Sequence, residues 1–344
     1  MPPIRICDAM PAMTPGKPLL SVRNLRTSFF QDEGITKAVD GVSFDVHPGK
    51  TVGIVGESGC GKSVTAQSIL RIVDHPGKIV DGQIMLSGKS GDEVDLVTLK
   101  PNSTEIRKIR GGDIGLVFQE PMTSFSPVHT VGAQLTEAVM LHKAVGSKEA
   151  RKHGIEALRS VGIPQPERRI DEYSFELSGG LRQRAMIAVA LSCDPRLLIA
   201  DEPTTALDVT TQAQILDLLR KIQRERGMAI MLITHNLGVV AEMADDVVVM
   251  YLGRVVEQGN VDDIFHDPKH PYTKALLQSI PSIESTPREK LPTITGTIPH
   301  PFNRPSGCPF HPRCASFMPG RCDVAEPALQ PIGEGRRVSC FLYE

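Results

Sequence analysis

The chain has 344 residues, enough to bury a sizeable core and to form more than one structural unit. Its 38 basic and 40 acidic residues leave a net charge of −2, so the composition does not indicate a nucleic-acid-binding protein. No uninterrupted apolar run reaches the ~18 residues that a transmembrane helix needs. We therefore expect a soluble, cytosolic protein that reaches a membrane only through other subunits.

Strand-like segments dominate the beginning of the chain. Residues 1–18 lack the basic-then-apolar plan of a signal peptide and predict a flexible tail. Residues 20–29 and 36–46 have a strand-like pattern. The β-branched run at 51–55 ends at a glycine-rich loop, which is typical of a buried parallel strand. A helical pattern follows over residues 62–73.

The rest of the chain alternates between helical and strand-like patterns. Short apolar runs indicate the strands, and longer periodic segments indicate the helices between them. This alternation predicts an α/β fold with a mainly parallel sheet. The predicted elements are a strand at 114–118, mostly helical structure over 130–192, a strand at 197–200, a helix at 209–224, a strand at 229–233, a further helix and a strand at 247–251.

Changes of pattern indicate the domain boundaries. We expect the α/β core to span residues 19–265 and to contain an inserted helical subdomain at about 120–192. After about residue 265 proline becomes frequent and the periodicity fades. Residues 266–344 are therefore expected to form a small appended extension.

The glycine-rich loop after the strand at 51–55 fits the pattern G-x-x-x-x-G-K-[ST]. Such a loop turns backbone N–H groups toward the phosphates of a nucleotide, and the N-terminus of the following helix assists it. Lys62 is predicted to reach the β- and γ-phosphates, and the Ser63 hydroxyl to bind Mg²⁺. The alternative is a chance match in a glycine-rich turn. The predicted nucleotide contacts in this loop are Gly56, Ser58, Gly59, Cys60, Gly61, Lys62, Ser63 and Val64.

Two carboxylates, Asp201 and Glu202, follow the apolar run at 197–200. They are therefore expected at the C-terminal end of a strand, where open α/β sheets bind ligands. We predict that Asp201 holds Mg²⁺, directly or through water, and that Glu202 polarises the attacking water. A general base typically contributes roughly 10²–10⁴-fold in rate. The alternative is that these residues only end a strand in solvent.

Five further short motifs occur in a fixed order along the chain: Gln119 after a strand, Leu-Ser-Gly-Gly at 177–180, Asp-Glu at 201–202, Ala-Leu-Asp at 206–208 and Thr-His at 234–235. With the glycine-rich loop, this order resembles the ATPases of ABC transporters over roughly residues 19–265. The resemblance implies a P-loop NTPase (RecA-like) core, ATP and Mg²⁺ as ligands, and two cassettes that enclose ATP between them.

The resemblance also implies a role for individual residues. Gln119 looks like the Q-loop residue, which senses Mg²⁺ and water and couples to the membrane subunit. Ser178 and Gly180, with Gly179 between them, look like the signature that contacts the γ-phosphate bound by the opposite cassette. His235 is similar to the switch histidine, which contacts the γ-phosphate and orients the water. Taken alone, the signature motif has the composition of a flexible turn, and a lone histidine is more often structural.

Three further positions complete the assignments. Asp208 lies in a segment similar to the D-loop, which crosses the dimer interface. Phe29 stands where the family places an aromatic that stacks on adenine, although Phe30 is adjacent and a phenylalanine at a strand end is often part of the core. Cys60 stands where serine is commoner. It is interpreted either as a small residue of suitable size or as a reactive thiol whose pKa is lowered by the helix N-terminus.

Other segments resemble the ATPases of oligopeptide, dipeptide and nickel importers. Residues 171–176 stand where many exporters have a different segment before the signature, which favours an importer. Phe125 and Leu181 depart from the usual pattern, so the solute class stays open. The similar segments are 109–112, 118–124, 270–273 and 307–314.

The importer resemblance implies several partners. These are a second ATPase subunit, expected to be a related but different chain, two transmembrane permease subunits and, indirectly, an extracytoplasmic solute-binding protein. The chain would then be peripheral on the cytoplasmic face of the membrane. Its expected function is an ATP-hydrolysing motor that drives uptake of peptides or a related small solute.

Four of the seven cysteines lie near the C-terminus with five, seven and 17 residues between them. This spacing fits neither a zinc ribbon nor the bacterial ferredoxin pattern. In the related importer ATPases a similar cysteine region is associated with a [4Fe–4S] cluster. The resemblance therefore implies a cluster that stabilises the extension, with zinc (His311 replacing one thiolate) or free thiols as alternatives. The implied ligands are Cys308, Cys314, Cys322 and Cys340.

Two other classes of function are alternatives. One is a soluble ABC ATPase that acts on nucleic acid or ribosomes. Such proteins usually fuse two cassettes in one chain or insert long coiled coils or zinc modules, and the sequence has neither. The other is an iron–sulfur regulatory protein in which the nucleotide is secondary.

Overall fold

The strands of the computed structural model begin and end close to the predicted positions where the sequence pattern is strong. The structure describes residues 16–89, 91–120, 124–205, 207–280, 294–300 and 302–344. The predicted tail therefore lies almost wholly outside the described residues. The strands are β1 (Leu20–Gln31), β2 (Gly34–Val46), β3 (Thr51–Val55), β4 (Gly77–Ser87), β5 (Glu93–Asp95), β6 (Ile114–Val117), β7 (Leu197–Asp201), β8 (Ala229–Ile233), β9 (Asp246–Tyr251), β10 (Arg254–Asn260), β11 (Gln330–Gly333) and β12 (Arg336–Val338).

Most helices begin after a side chain that accepts a hydrogen bond from a backbone N–H of the first turn, which satisfies a donor that the helix itself leaves free. Ser103, Thr130, Ser178, Asp208 and Asn260 act in this way. The helices are α1 (Lys62–Ile69), α2 (Thr104–Ile109), α3 (Val131–His142), α4 (Ser147–Ser160), α5 (Pro166–Arg169), α6 (Gly179–Leu191), α7 (Val209–Arg226), α8 (Leu237–Met243), α9 (Val261–His266) and α10 (Pro271–Gln278).

The larger sheet supports the candidate site. Within the described residues its strand order is β11-β12-β10-β9-β3-β8-β7-β6. The five strands from β9 to β6 pair in parallel, while β10 and β12 join antiparallel. Every residue of β3, β7 and β8 is buried, as expected for parallel strands covered on both faces. The predicted parallel α/β core is confirmed.

A smaller antiparallel sheet has the order β2-β1-β4-β5 among the described residues. The sequence pattern indicated β1 and β2 but not β4, whose residues are mostly half-buried or exposed and do not form an apolar run. The predicted helix at 62–73 was too long, because α1 ends at Ile69. Just beyond this end, the Arg110 guanidinium donates hydrogen bonds of 2.7 and 2.8 Å to the carbonyls of Leu70 and Arg71. Arg71 itself has a φ of 56°.

The region predicted as an inserted helical subdomain contains α3 to α6. It packs around Val131, Leu135 and Leu158, which are fully buried, and these belong to the same apolar cluster as Leu198 of β7. The helical structure is interrupted near residue 162, since α4 ends at Ser160 and Gly162 has a φ of 75°. The boundaries at 120 and 192 stay a prediction.

The C-terminal extension shares its core with the main sheet. Strand β12 pairs with β10, and Tyr272 and Phe310 are buried in one cluster with Tyr251 of β9. The extension is therefore fastened to the α/β core through backbone pairing and aromatic packing. Across the described ranges, none of the helices combines the length and apolar character that crossing a membrane requires.

Candidate nucleotide-binding and hydrolysis site

The candidate site lies at the edge of the main sheet where four neighbouring parallel strands end. In spatial order these strands are β3, β8, β7 and β6. The glycine-rich loop follows β3, His235 follows β8, Glu202 follows β7, and Gln119 follows β6. Because the carboxyl ends of parallel strands meet at one edge, residues that are far apart in sequence come together.

The glycine-rich loop passes close to other backbone segments. Gly56 has a φ of 151°, and a Cβ there would lie 2.2 Å from the carbonyl oxygen of Met250. Gly61 has a φ of 98°, and a Cβ there would lie 2.2 Å from the carbonyl oxygen of Ala38. Only glycine fits at both positions, because a side chain would be strained and would collide with backbone. Helix α1 begins directly after Gly61.

Lys62 lies beneath this loop with only 5% of its surface exposed. Its ammonium group donates hydrogen bonds to the carbonyl oxygens of Gly56 at 2.8 Å and Glu57 at 3.1 Å. Among the predicted contacts, Ser58 and Gly59 are exposed, and Ser63 and Val64 are half-buried. The loop therefore presents its tip to solvent and its lysine to the interior of the loop, as a phosphate site requires.

Two predicted residues, Gln119 and His235, meet around Glu202. Its carboxylate accepts hydrogen bonds from the Gln119 amide at 3.2 Å and from the Thr205 hydroxyl at 2.8 Å. Nδ1 of His235 lies 3.2 Å from the same carboxylate. The backbone of Glu202 has a φ of 46°, which is unusual for a residue with a side chain and is often found at functional sites. The structure thus places the predicted residues Gln119, Glu202 and His235 together and adds Thr205, for which no role was predicted from the sequence.

The two neighbouring carboxylates differ in their electrostatic surroundings. Burial raises the pKa of Asp201, and a hydrogen bond from Ser63 opposes this only in part. Burial also acts to raise the pKa of Glu202, but the hydrogen bonds from Thr205 and His235 outweigh it, so the pKa of Glu202 is lowered. Glu202 is therefore ionised at neutral pH, as a group that accepts a proton must be.

Asp201 and Ser63 fit the hard oxygen ligands that Mg²⁺ prefers. The side chain of Asp201 is buried, and among the described residues its Oδ1 atom has no hydrogen-bond partner. An unpartnered buried carboxylate oxygen is costly unless a ligand satisfies it. The donor set at this place therefore fits a divalent cation held by Asp201 and Ser63.

The signature residues lie on the helical subdomain. Ser178 begins helix α6, and its hydroxyl accepts a hydrogen bond from the Leu181 N–H at 3.4 Å. Ser178 and Gly179 are exposed, and no hydrogen bond among the described residues joins residues 178–180 to the glycine-rich loop. A Cβ at Gly180 would lie 2.9 Å from Cγ2 of Thr211. The single chain thus leaves the predicted signature facing outward.

Asp208 lies next to the signature helix through Thr211. Its carboxylate begins helix α7 and accepts hydrogen bonds from the backbone N–H of Thr211 at 2.9 Å and from its hydroxyl at 2.7 Å. Hydrogen bonds from Thr211 lower the pKa of Asp208. No role was predicted for Thr211 from the sequence.

Phe29 and Cys60 were the least certain nucleotide contacts. Phe29 is half-buried on β1, and a Cβ at Gly77 would lie 2.8 Å from its ring, whereas Phe30 is 43% exposed. The adenine assignment of Phe29 stays a prediction. Cys60 is 3% exposed, and burial raises the pKa of its thiol, with only partial compensation from Lys62. This environment favours a small packing residue over a reactive thiolate.

The four C-terminal cysteines line one small pocket together with Phe310 and Phe341. All four are free thiols. Burial raises the pKa of Cys308 to about 11, and the three other thiols add to the effect. However, the described residues contain no group of three or more His, Cys, Asp or Glu side chains that could hold a metal ion as it stands. The predicted [4Fe–4S] centre is not confirmed. The cysteines are Cys308, Cys314, Cys322 and Cys340.

Comparison with known proteins decides the family. Residues 39–205 match the family model described as ABC transporter, and residues 256–322 match the one described as oligopeptide/dipeptide transporter, C-terminal region. The chain is 51% identical to the oligopeptide transport ATP-binding protein AppD of Bacillus subtilis over 95% of this chain and 97% of that one. It is 49% identical to the dipeptide transport ATP-binding protein DppD of the same organism, with 95% of both chains covered.

The chain belongs to the family of ABC transporter ATPases. Solved structures agree with this: the ATPase is similar to the dimeric ABC transporter cassette MJ0796, with a TM-score of 0.61 and 27% identity over 70% of this chain and 98% of that one. It is also similar to cbiO1 from Clostridium perfringens, with a TM-score of 0.59 and 30% identity over 73% of this chain and 91% of that one. The predicted P-loop NTPase core is thereby confirmed, and a function on nucleic acid is not favoured.

Proposed function

We propose that this ATPase is the motor subunit of an importer for peptides or a related small solute. The observation that carries the proposal is the convergence of Gln119, Thr205 and His235 on Glu202 at the strand ends beside Lys62. The relatives whose names specify peptide, oligopeptide or dipeptide transport match over nearly the whole chain, including the C-terminal extension. That full-length similarity supports a peptide-type solute.

In the proposed mechanism the glycine-rich loop and Lys62 bind the phosphates of ATP. Asp201, Ser63 and Gln119 would hold Mg²⁺, which would neutralise phosphate charge. Glu202 accepts the proton of the attacking water, since its carboxylate is ionised. His235 hydrogen-bonds the same carboxylate and is placed to orient Glu202, the water or the γ-phosphate.

We infer that the site is completed by a second cassette. Ser178 and Gly179 of the predicted signature are exposed, and residues 178–180 have no hydrogen bond to the glycine-rich loop within the described part of the chain. Its position at the N-terminus of α6 suits contact with a phosphate on another subunit. Asp208, joined to this surface through Thr211, would lie at the same interface. MJ0796, to which the chain is similar, is described as a dimeric cassette.

The remaining partners follow from the family. Each of the two permease subunits would bind the helical subdomain of one ATPase. A solute-binding protein would deliver the peptide on the far side of the membrane. The ATPase would then be peripheral on the cytoplasmic face. We further infer that residues 19–265 form the cassette, with the helical insertion at about 120–192, and that 266–344 form the extension.

Reconstitution of the complex tests the function. The ATPase is expressed with the candidate partner ATPase and two permeases, placed in lipid vesicles, and supplied with a mixture of short peptides and the binding protein. We expect ATP-dependent peptide uptake, and we expect its loss when Glu202→Gln replaces the parent. Uptake that continues without ATP hydrolysis, or a complex that hydrolyses ATP without moving peptides, would contradict the proposal.

We also infer that the four C-terminal cysteines bind a metal centre, with a [4Fe–4S] cluster as the form implied by the family and zinc as the alternative. The support is that all four thiols line one pocket. Because burial raises the pKa of Cys308, Cys314 and Cys340, metal binding would have to displace protons from these thiols. Anaerobic purification followed by iron, zinc and visible-absorbance measurements decides between the forms. Metal-free protein with four reactive thiols would remove the inference.

A further inference from the structure

The C-terminal extension reaches the phosphate loop through one buried arginine. Arg313 donates hydrogen bonds from Nη1 and Nη2 to the two carboxylate oxygens of Glu57, at 2.7 and 3.0 Å. Two parallel hydrogen bonds of this kind fix the direction of both side chains as well as their separation. Glu57 is the residue directly after Gly56 in the glycine-rich loop, and it lies 256 positions from Arg313 in the chain.

Further contacts fix the guanidinium group of Arg313 in place. Its side chain is 4% exposed, its Nε donates to the carbonyl of Thr295 at 3.1 Å, and Nη1 also lies 3.3 Å from the hydroxyl of Tyr251. The residue belongs to the short helical turn His311–Arg313, between two of the cysteines. A guanidinium with four of its N–H donors engaged in this way cannot follow a moving partner without losing hydrogen bonds.

A second residue of the extension holds the backbone of Glu57. The hydroxyl of Tyr272 accepts a hydrogen bond from the Glu57 N–H at 2.9 Å. Tyr272 is fully buried and packs against Tyr251 and Phe310, with ring centroids 4.7 and 5.3 Å away. Its hydroxyl is therefore fixed by the aromatic cluster at the root of the extension.

Glu57 is thus bound at three of its groups. Tyr272 holds its N–H, Arg313 holds its carboxylate, and Lys62 binds its carbonyl oxygen at 3.1 Å. The first two partners come from the extension and the third is the phosphate-binding lysine. Because the N–H of Glu57 donates to Tyr272, it is not available to a phosphate, which must be bound by other N–H groups of the loop.

We propose that Arg313 and Tyr272 are positioning residues that hold the phosphate loop in its nucleotide-binding shape through Glu57. A loop that is already ordered loses less conformational freedom when ATP binds, so its affinity is higher. The extension therefore sets the ATP affinity of the cassette without touching the nucleotide. This inference rests on the proposed nucleotide site around Lys62.

The test measures MgATP binding to the full-length ATPase by calorimetry, at a temperature at which circular dichroism shows each variant to be folded. We expect Arg313→Met to weaken MgATP binding by about tenfold, and Tyr272→Phe, which removes only the hydroxyl, by about threefold. Arg313→Lys keeps the charge but not the bidentate geometry, so its affinity should fall between Arg313→Met and the parent. In the assembled complex KM should rise while kcat stays close to the parent value, as for lost uniform binding.

Arg336→Met is the matched control. Arg336 is also a buried arginine of the extension, and it pairs with Glu257 of β10 at 3.0 Å rather than with a residue of the phosphate loop. The Arg336→Met substitution should lower the melting temperature of the ATPase but leave its MgATP affinity within about twofold of the parent value, because the substitution affects only the stability of the fold. An equal loss of affinity in Arg336→Met and Arg313→Met would overturn the proposal, since the effect would then be global.

Two further outcomes separate the proposal from the site on which it rests. If Lys62→Ala binds MgATP as the parent does, the nucleotide site itself is wrong. If Lys62→Ala loses binding but folded Arg313→Met and Tyr272→Phe bind within about twofold of the parent, the positioning role is wrong and the site stands. Should Arg313→Met fail to fold, Tyr272→Phe and Glu57→Gln decide in the same way, with Glu57→Gln expected to lose affinity as Arg313→Met would.

Discussion

The carboxyl edge of the main sheet and the C-terminal extension use charged side chains in opposite ways. At the edge, Asp201 keeps a carboxylate oxygen without a partner among the described residues, and Glu202 adopts a left-handed backbone conformation. In the extension, Arg313 and Arg336 are buried and paired with Glu57 and Glu257. The edge keeps charge available for a ligand at some cost in stability, whereas the extension uses charge to fasten two parts of the fold.

This contrast predicts that substitutions at the edge change chemistry and that substitutions in the extension change stability. Arg313 is the exception, because its partner belongs to the phosphate loop. The two kinds of effect can be separated by measuring hydrolysis, nucleotide binding and unfolding on the same variants.

Glu202→Gln should have the largest effect of all, and this effect should be confined to the hydrolysis step. The amide cannot accept the proton of the attacking water, so hydrolysis by the assembled complex should fall by roughly 10²–10⁴-fold while MgATP still binds. Phosphate release and nucleotide binding measure the two quantities. Glu242→Gln, at an exposed carboxylate paired with Arg220, is the control and should hydrolyse ATP at the parent rate. Full-speed hydrolysis by Glu202→Gln would remove Glu202 as the base.

Arg336→Met should have the largest effect on stability. It leaves Glu257, which is fully buried, without its charged partner, so the free energy of unfolding should fall by about 3–5 kcal/mol. Chemical denaturation measures this quantity. Arg337→Met, at the exposed neighbour on β12, is the matched control and should change it by less than about 0.5 kcal/mol. Equal effects of the two variants would show that the buried pair does not fasten the extension.

Gly179→Ala should distinguish the isolated chain from the assembled pair. A Cβ at Gly179 meets nothing within 4 Å in the single chain, so the free energy of unfolding should change by less than about 0.5 kcal/mol. In the complex the added methyl group would block approach to the phosphate, and hydrolysis should fall by about tenfold or more. Parent-level hydrolysis by a complex in which both cassettes carry this alanine would argue against a signature bound to the opposite site.

Cys60→Ser should have the smallest effect. Because burial raises the pKa of Cys60 and closes it to solvent, a thiol reagent should not label it in the folded ATPase. We expect MgATP affinity within about threefold of the parent for the serine variant. Mass spectrometry of maleimide-treated protein measures the labelling. Rapid labelling that blocks ATP binding would restore the reactive-thiol interpretation.

The two regions also differ in how far the sequence predicts them. Gln119, Glu202 and His235 each follow a strand end, so a local pattern places each of them at the same edge. No role was predicted from the sequence for Thr205 or Thr211, because a threonine a few residues from an acidic residue is too common a sequence pattern to indicate one. The predicted nucleotide contacts at Phe29 and across the dimer interface depend on a ligand and a partner, so geometry within one chain does not test them.

The contacts of the extension were not predicted, because they join distant residues. Nothing in the local sequence around Arg313 indicates a carboxylate 256 residues away. Strand β4 and the early end of α1 were also missed: β4 lacks an apolar run, and α1 ends before a left-handed Arg71, a position that no glycine marks in the sequence. Helical and strand periodicity reports burial along one element and carries no information on which other element covers it.

The central strand β3 has a consequence for synthesis of the protein. Its two neighbours in the sheet, β8 and β9, begin at Ala229 and Asp246, far beyond its own end at Val55. On the ribosome, β3 and the glycine-rich loop therefore remain without their neighbouring strands until most of the chain has emerged. ATP binding should accordingly appear late in translation, and nascent chains halted before residue 251 should depend on chaperones to stay free of aggregates.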